Sequence, residues 1–106
     1  MVNFDYEAIQ RARLPEVLKQ EFIGNYLLYS DTLQTALRVR KEATARHGEL
    51  VDMYHETQDP KVKRAMHATG KTIAKAMQQV DIAERMIISC EFGLEAIENH
   101  KRKIAA

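Results

Sequence analysis

The feature that most constrains the fold is a regular spacing of apolar and small residues in the second half of the chain. These residues recur at alternating intervals of four and three, and this heptad pattern predicts a long helix of the coiled-coil type with one packing seam. One column of the seam is large and the other mostly small, so two helices can approach closely. The large column is Met66, Ile73, Val80, Ile87 and Leu94, and the small column is Val62, Thr69, Ala76, Ala83, Cys90 and Ile97.

Further apolar residues widen the stripe on this helix, so we expect it to touch more than one neighbour. The first half of the chain carries a less regular stripe at helical spacing, which predicts a second long helix. The widening residues are Met77, Ile82, Met86 and Ile88, and the first-half stripe is Leu18, Phe22, Tyr26, Tyr29, Leu33 and Leu37.

Turn residues are scarce, because the chain has only 4 Gly and 2 Pro among 106 residues. This scarcity argues against an all-β fold, which needs frequent turns. The two expected breaks in helical structure are Leu14-Pro15 and Asp59-Pro60. The second is a strong start signal for a helix, because Asp59 can cap it and Pro60 stands at its first position. We predict an all-α single domain over residues 1–106, with a short helix over residues 5–13 capped by Asp5. Long antiparallel helices over 15–55 and 60–100 form a hairpin whose tip lies near 55–60.

A two-helix hairpin cannot bury so wide an apolar surface alone, so we expect a homodimer that completes a helical bundle. Residues 1–60 carry 7 Lys or Arg against 10 Asp or Glu, and residues 61–106 carry 9 against 5. Segments of opposite sign suit antiparallel pairing within or between chains, and the alternative is that both are simply solvated helix faces. The expected self-association seam is Met66, Ile73, Ala76, Val80, Ala83, Ile87 and Leu94 against Tyr26, Tyr29, Leu33 and Leu37.

Composition indicates a soluble, intracellular protein. The single cysteine, Cys90, cannot form an internal disulfide, and a reducing compartment such as the cytoplasm is the simpler reading. The first residues lack a basic region followed by an apolar run, so no secretory signal is expected. No apolar run approaches the roughly 20 residues that a membrane span needs.

No motif in the chain predicts catalysis, and we expect neither a catalytic residue, a cofactor nor a metal. The letters Thr69-Gly70-Lys71-Thr72 resemble part of a phosphate-binding loop, but Ala65 stands where that loop needs Gly, and the segment belongs to the helical seam. Glu49, Asp52 and His55 share a helix face, yet a carboxylate-bundle metal site needs matching ligands on other helices. We therefore expect a non-enzymatic protein.

Basic residues at the start of the second long helix offer an alternative, binding to phosphate groups. A net charge of only +1 and the lack of aromatic residues among the cations argue against a dedicated nucleic-acid binder. A nucleic-acid-binding helical bundle remains an alternative. The candidate phosphate or lipid contacts are Lys61, Lys63, Arg64, Lys71 and Lys75.

A second alternative comes from a family resemblance over residues 20–103. The helical pattern of residues 26–33, Leu37 and Arg40, the polar tip, and then Ile87, Glu91, Leu94, Glu95, Ile97 and Lys101 resembles the second and third helices of a BAR domain. BAR domains are dimeric helical crescents that bind curved anionic membranes through basic faces and tips. They are longer and have three long helices, whereas here the first is absent or reduced to residues 5–13. The resemblance implies lipid contacts at Lys61, Lys63 and Arg64.

These observations together favour an interaction module that acts by protein–protein contact, either as a scaffold or as an inhibitor of a partner protein. The amount of apolar helical surface is the basis for this expectation. Peripheral membrane binding and nucleic-acid binding are the alternatives.

Overall fold

A computed structural model describes the backbone of residues 3–105 and the side chains of residues 15–105. Two helices make up this part of the chain, α1 (Asn3–Thr57) and α2 (Pro60–Ala105), and no strand occurs among the described residues. The prediction of an all-α hairpin of two long helices is confirmed.

The predicted break before Pro15 is not present, because α1 runs through this residue. Proline removes its own N–H from the helix ladder and its ring crowds the carbonyl four residues earlier, but the other hydrogen bonds of the ladder can continue on either side. The neighbouring Ala, Arg, Leu and Glu residues favour helix strongly enough to bridge the gap. The separate short helix over residues 5–13 is therefore not confirmed, and the side chain of its expected cap, Asp5, lies outside the described residues.

The turn between the helices is fixed by local chemistry at the predicted tip. Gln58 has a left-handed backbone with φ of 56°, and its N–H donates to the Tyr54 carbonyl at 2.8 Å, which closes α1. The Asp59 carboxylate accepts a hydrogen bond from the Lys61 backbone N–H at 2.9 Å and so caps α2. The Asp59 carbonyl accepts from the Lys63 N–H at 3.1 Å, the first bond of the new helix.

The chain divides into two compact units. The turn unit comprises Ser30–Glu84, and the terminal unit comprises Met1–Tyr29 with Arg85–Ala106. In the turn unit the two helices form a hairpin around a core of small and medium side chains. That core is Ala36, Leu50, Ala76, Val80 and Ala83, each at most 8% exposed.

In the terminal unit the helical segments also pack antiparallel. Phe22 lies against Gly93, Lys19 approaches Glu98 and Glu16 contacts Lys101, so successive positions on α1 meet successively earlier positions on α2. Cys90 and Ile97 are the buried apolar residues that the structure describes in this unit. The thin core leaves large apolar side chains of the same segments exposed.

Candidate functional site

The heptad seam of α2 is the face that packs within the chain. All eleven seam positions are buried or half-buried, and the fully buried ones come mainly from the small column. Contacts inside the chain therefore already cover part of the surface predicted for self-association. Of that surface, Ala76, Val80 and Ala83 are buried, while Met66, Ile73, Ile87, Leu94, Tyr26, Tyr29, Leu33 and Leu37 are half-buried.

Large apolar side chains are exposed away from the seam. Phe92 is 67% exposed and Leu27 is 63% exposed, values far above those of the core. Of the residues that widen the α2 stripe in the sequence, Met77, Ile82 and Ile88 are exposed and Met86 is half-buried. The described residues with large exposed apolar side chains are Val17, Leu27, Leu28, Ile88, Phe92 and Ile104 in the terminal unit and Met53, Met77 and Ile82 in the turn unit.

Phe92 is an exposed aromatic residue that neither stripe identified in the sequence includes. It follows Ile88 by four positions, so the two side chains are neighbours on the surface of α2. The signal that could have found it is this spacing on a face that the heptad seam does not use.

The five basic residues predicted as phosphate or lipid contacts are all exposed on the first part of α2. Within the part of the chain whose side chains are described, no carboxylate lies within ion-pair distance of any of them. Their charge is therefore not neutralised locally. These residues are Lys61, Lys63, Arg64, Lys71 and Lys75.

A shallow groove of about 380 Å³ opens in the turn unit beside Gly70. Gly70 is helical with ordinary φ, and a Cβ built on it would meet nothing within 4 Å. The missing side chain therefore leaves an opening that no neighbour fills. The groove is lined by His47, Met66, His67, Gly70, Lys71 and Ala74, none of which is acidic.

A hydrogen bond between the two helices fixes one wall of this groove. The Thr69 hydroxyl lies 2.9 Å from the Met66 carbonyl and 2.8 Å from His47 Nδ1. A hydroxyl can both donate and accept, so it makes this hydrogen bond with either tautomer of His47. His47 is thereby held with its ring at the groove.

Ion pairs join the helices of the terminal unit. Lys101 Nζ lies 2.7 Å from Glu16 Oε1, and Lys19 Nζ lies 4.0 Å from Glu98 Oε1. The hydrogen bond from Lys101, and then its charge, hold the pKa of Glu16 below its ordinary value. The same hydrogen bond is the largest cause of the raised pKa of Lys101. The Glu16 side chain is 64% exposed and the Lys101 side chain 36% exposed, so water screens this pair.

The other chemical motifs of the sequence lie on exposed helix faces or in the packed seam. Glu49, Asp52 and His55 are exposed, and Glu49 pairs with Arg46 at 3.2 Å. Cys90 is a buried free thiol, and no group of His, Cys, Asp and Glu among the described residues is placed to hold a metal. The segment Thr69–Thr72 is helical.

No helix in the described part of the chain is long and apolar enough to cross a membrane. Comparison with protein-family models, curated protein sequences and solved structures finds no match to this chain.

Proposed function

We propose that the protein is a non-enzymatic α-helical module that self-associates and acts through protein–protein contacts. The observation that carries the proposal is the set of large apolar side chains left exposed in both units. Phe92, Leu27 and Leu28 are each at least 59% exposed, while three of the seven buried residues of the described core are alanine. Exposed apolar surface of this kind is typical of protein interaction sites.

The geometry of a two-helix layer explains why these side chains need a partner. Each helix can bury only the face that meets its neighbour, and here small residues occupy much of that face. Full burial of a Leu or Phe side chain contributes about 1.5–3 kcal/mol. A second copy that covers several such residues therefore supplies a favourable term that the single hairpin lacks.

The experiment that tests self-association is light scattering on a sizing column across a concentration series. We expect a dimer mass at micromolar concentration. A monomer mass at every concentration would overturn the proposal.

A second candidate function, binding to an anionic surface, is favoured by the unneutralised cations at the start of α2. Lys61, Lys63 and Arg64 are exposed beside the turn, where the BAR-like resemblance places lipid contacts. Association through phosphate contacts weakens steeply as salt rises, unlike an apolar protein interface. Co-sedimentation with anionic vesicles and a nucleic-acid pull-down at low and high salt test it. No association with either probe at low salt would remove this candidate.

A further inference from the structure

The groove beside Gly70, here called the Gly70 groove, lies in a strongly basic stretch of the turn unit. Residues 60–80 of α2 contain five Lys or Arg and no Asp or Glu. On the α1 side, the carboxylate nearest to His47 in the sequence is Glu49, and Arg46 pairs with it at 3.2 Å. The surroundings of the groove therefore attract an anion and offer no free carboxylate to an organic cation.

Two rows of side chains on α2 form one wall of the groove. Met66, Gly70 and Ala74 are spaced by four residues, so they make a continuous apolar row along the helix. His67 and Lys71 are also four residues apart and make a basic row beside it. Met66 is half-buried on the seam, whereas both residues of the basic row are exposed, so the apolar row lies closer to α1.

His47 lines the groove from the α1 side. Its Nδ1 lies 2.8 Å from the Thr69 hydroxyl, and among the described residues no hydrogen bond involves its Nε2. Nε2 is therefore the ring nitrogen that remains to donate to a ligand. With Lys71 and His67, the groove has three side chains that can donate hydrogen bonds to one anion, and at Gly70 no side chain stands between His47 and the basic row.

We infer that the Gly70 groove is a binding site for an organic phosphate. The phosphate sits at Gly70 with Lys71 and the two imidazoles as donors, and the apolar body of the ligand lies along Met66 and Ala74. A phosphate presents three acceptor oxygens, which matches three donor side chains. The groove of about 380 Å³ is also large enough, because small-molecule sites span about 300–1,000 Å³.

This inference goes beyond the proposed self-association. All six lining residues belong to one chain and to the turn unit, so the site needs no second copy. It also differs from binding through Lys61, Lys63 and Arg64 beside the turn, because none of these three residues lines the groove.

The first test is titration of the full chain with phenyl phosphate, followed by nuclear magnetic resonance of the backbone amides. We expect saturable shifts centred on residues 66–74 and on His47. Phenol and inorganic phosphate each carry half of the ligand, so each should bind at least about tenfold more weakly. Absence of shifts at these residues overturns the site, and so does phenol or inorganic phosphate binding as tightly as phenyl phosphate.

A filled groove tests the location. Gly70→Leu adds a side chain where a Cβ meets nothing within 4 Å, and Gly24→Leu, equally unobstructed and helical but in the terminal unit, is the matched control. Leucine favours helix over glycine at both positions, so a loss of helix does not explain weaker binding. We expect Gly70→Leu to abolish the binding of phenyl phosphate and Gly24→Leu to retain it. Equal binding by the two variants would contradict the location.

A change of charge tests the chemistry. Lys71→Gln should weaken the binding of phenyl phosphate by about tenfold or more, because it removes a charged donor to the phosphate. Lys75→Gln is the matched control, since Lys75 is exposed one turn further along α2 and does not line the groove. An equal loss in both variants would show attraction by the general positive charge of α2 and would overturn the groove site.

Vesicles of phosphatidic acid distinguish a lipid headgroup from a soluble ligand, because that headgroup is also a phosphate on an apolar body. Vesicle binding that Gly70→Leu abolishes assigns the phosphate to a lipid, whereas binding of phenyl phosphate alone assigns it to a soluble molecule. Both results support the groove. Vesicle binding that Gly70→Leu retains and Lys61→Gln with Lys63→Gln removes, without binding of phenyl phosphate, overturns the groove site and leaves the cations beside the turn as the contact. The mass from light scattering tests self-association separately.

Discussion

Gly93 shows how one missing side chain sets the packing of the terminal unit. A Cβ at this position would lie 2.5–2.8 Å from three carbons of the Phe22 ring, closer than packed atoms approach. The ring therefore occupies the space that any larger residue at position 93 would need. At Gly24, Gly48 and Gly70 a Cβ meets nothing within 4 Å, so glycine there has no such packing role.

We predict that alanine at position 48 and alanine at position 93 have opposite effects on the free energy of unfolding. Gly48→Ala should raise the free energy of unfolding by up to about 1 kcal/mol through helix propensity. Gly93→Ala gains the same helix propensity, but its methyl group overpacks the Phe22 ring, which costs about 1–3 kcal/mol. The free energy of unfolding should therefore fall. Denaturant unfolding of both variants measures this difference. Adding Phe22→Leu should recover part of the loss, and a Gly93→Ala variant as stable as Gly48→Ala would show that the ring moves aside freely.

The Glu16–Lys101 pair predicts a shifted titration. Lys101 holds the pKa of Glu16 below its ordinary value, so the pair stabilises the fold above the ordinary Glu pKa. That contribution is lost as pH falls through the lowered pKa of the folded state. The raised pKa of Lys101 acts at the alkaline end, where stabilisation is lost as pH rises through the folded value.

Nuclear magnetic resonance titration of the Glu16 carboxyl checks this expectation. Lys101→Met should bring the pKa of Glu16 back towards its ordinary value, because it removes both the hydrogen bond and the nearest charge. Lys19→Met is the matched control and should have a smaller effect, since the Lys19 charge is the weakest of the causes. An unchanged Glu16 titration in Lys101→Met would contradict the pairing.

The start of α2 and the end of α1 depend on two adjacent residues. Asp59→Ala removes the side chain that caps α2 and should lower the free energy of unfolding by about 1 kcal/mol. Gln58→Gly should raise it by about 1 kcal/mol, because glycine adopts the left-handed backbone without the steric cost of a Cβ. Thermal unfolding measures both changes, and Asp59→Asn should retain most of the cap. Destabilisation by Gln58→Gly would contradict the assigned turn.

Features that depend on residues close together in the chain could be predicted from the sequence. The cap at Asp59-Pro60, the tip and the packed face of α2 all follow from local spacing and residue type. The passage of α1 through Pro15 could not, because one lost hydrogen bond competes with the helix propensity of its neighbours. The groove at Gly70 could not either, since one wall, His47, comes from the other helix and is held there by Thr69.

At the scale of the whole molecule, α2 has two different sets of apolar residues, one on the seam and one off it. Substituting aspartate into each set should have different effects on folding and on assembly. Val80 is 8% exposed and Ile87 is half-buried on the seam, whereas Met77 and Ile88, which lie off the seam, are at least 50% exposed. A carboxylate forced into the seam must be desolvated without a partner, which costs several kcal/mol. A carboxylate at position 77 or 88 remains in water in the monomer and is desolvated only if a second copy covers it.

We therefore predict that two double variants separate folding from assembly. Val80→Asp with Ile87→Asp should abolish the helical fold, because two such costs rival the total stability of about 5–15 kcal/mol for a domain. Met77→Asp with Ile88→Asp should keep the helical circular dichroism spectrum and give a monomer mass. Circular dichroism and light scattering on the same samples measure both properties. A native helical dimer from the seam variant would refute the packed face of α2. An intact dimer from the Met77→Asp, Ile88→Asp variant would show that self-association uses other exposed residues, such as Leu27.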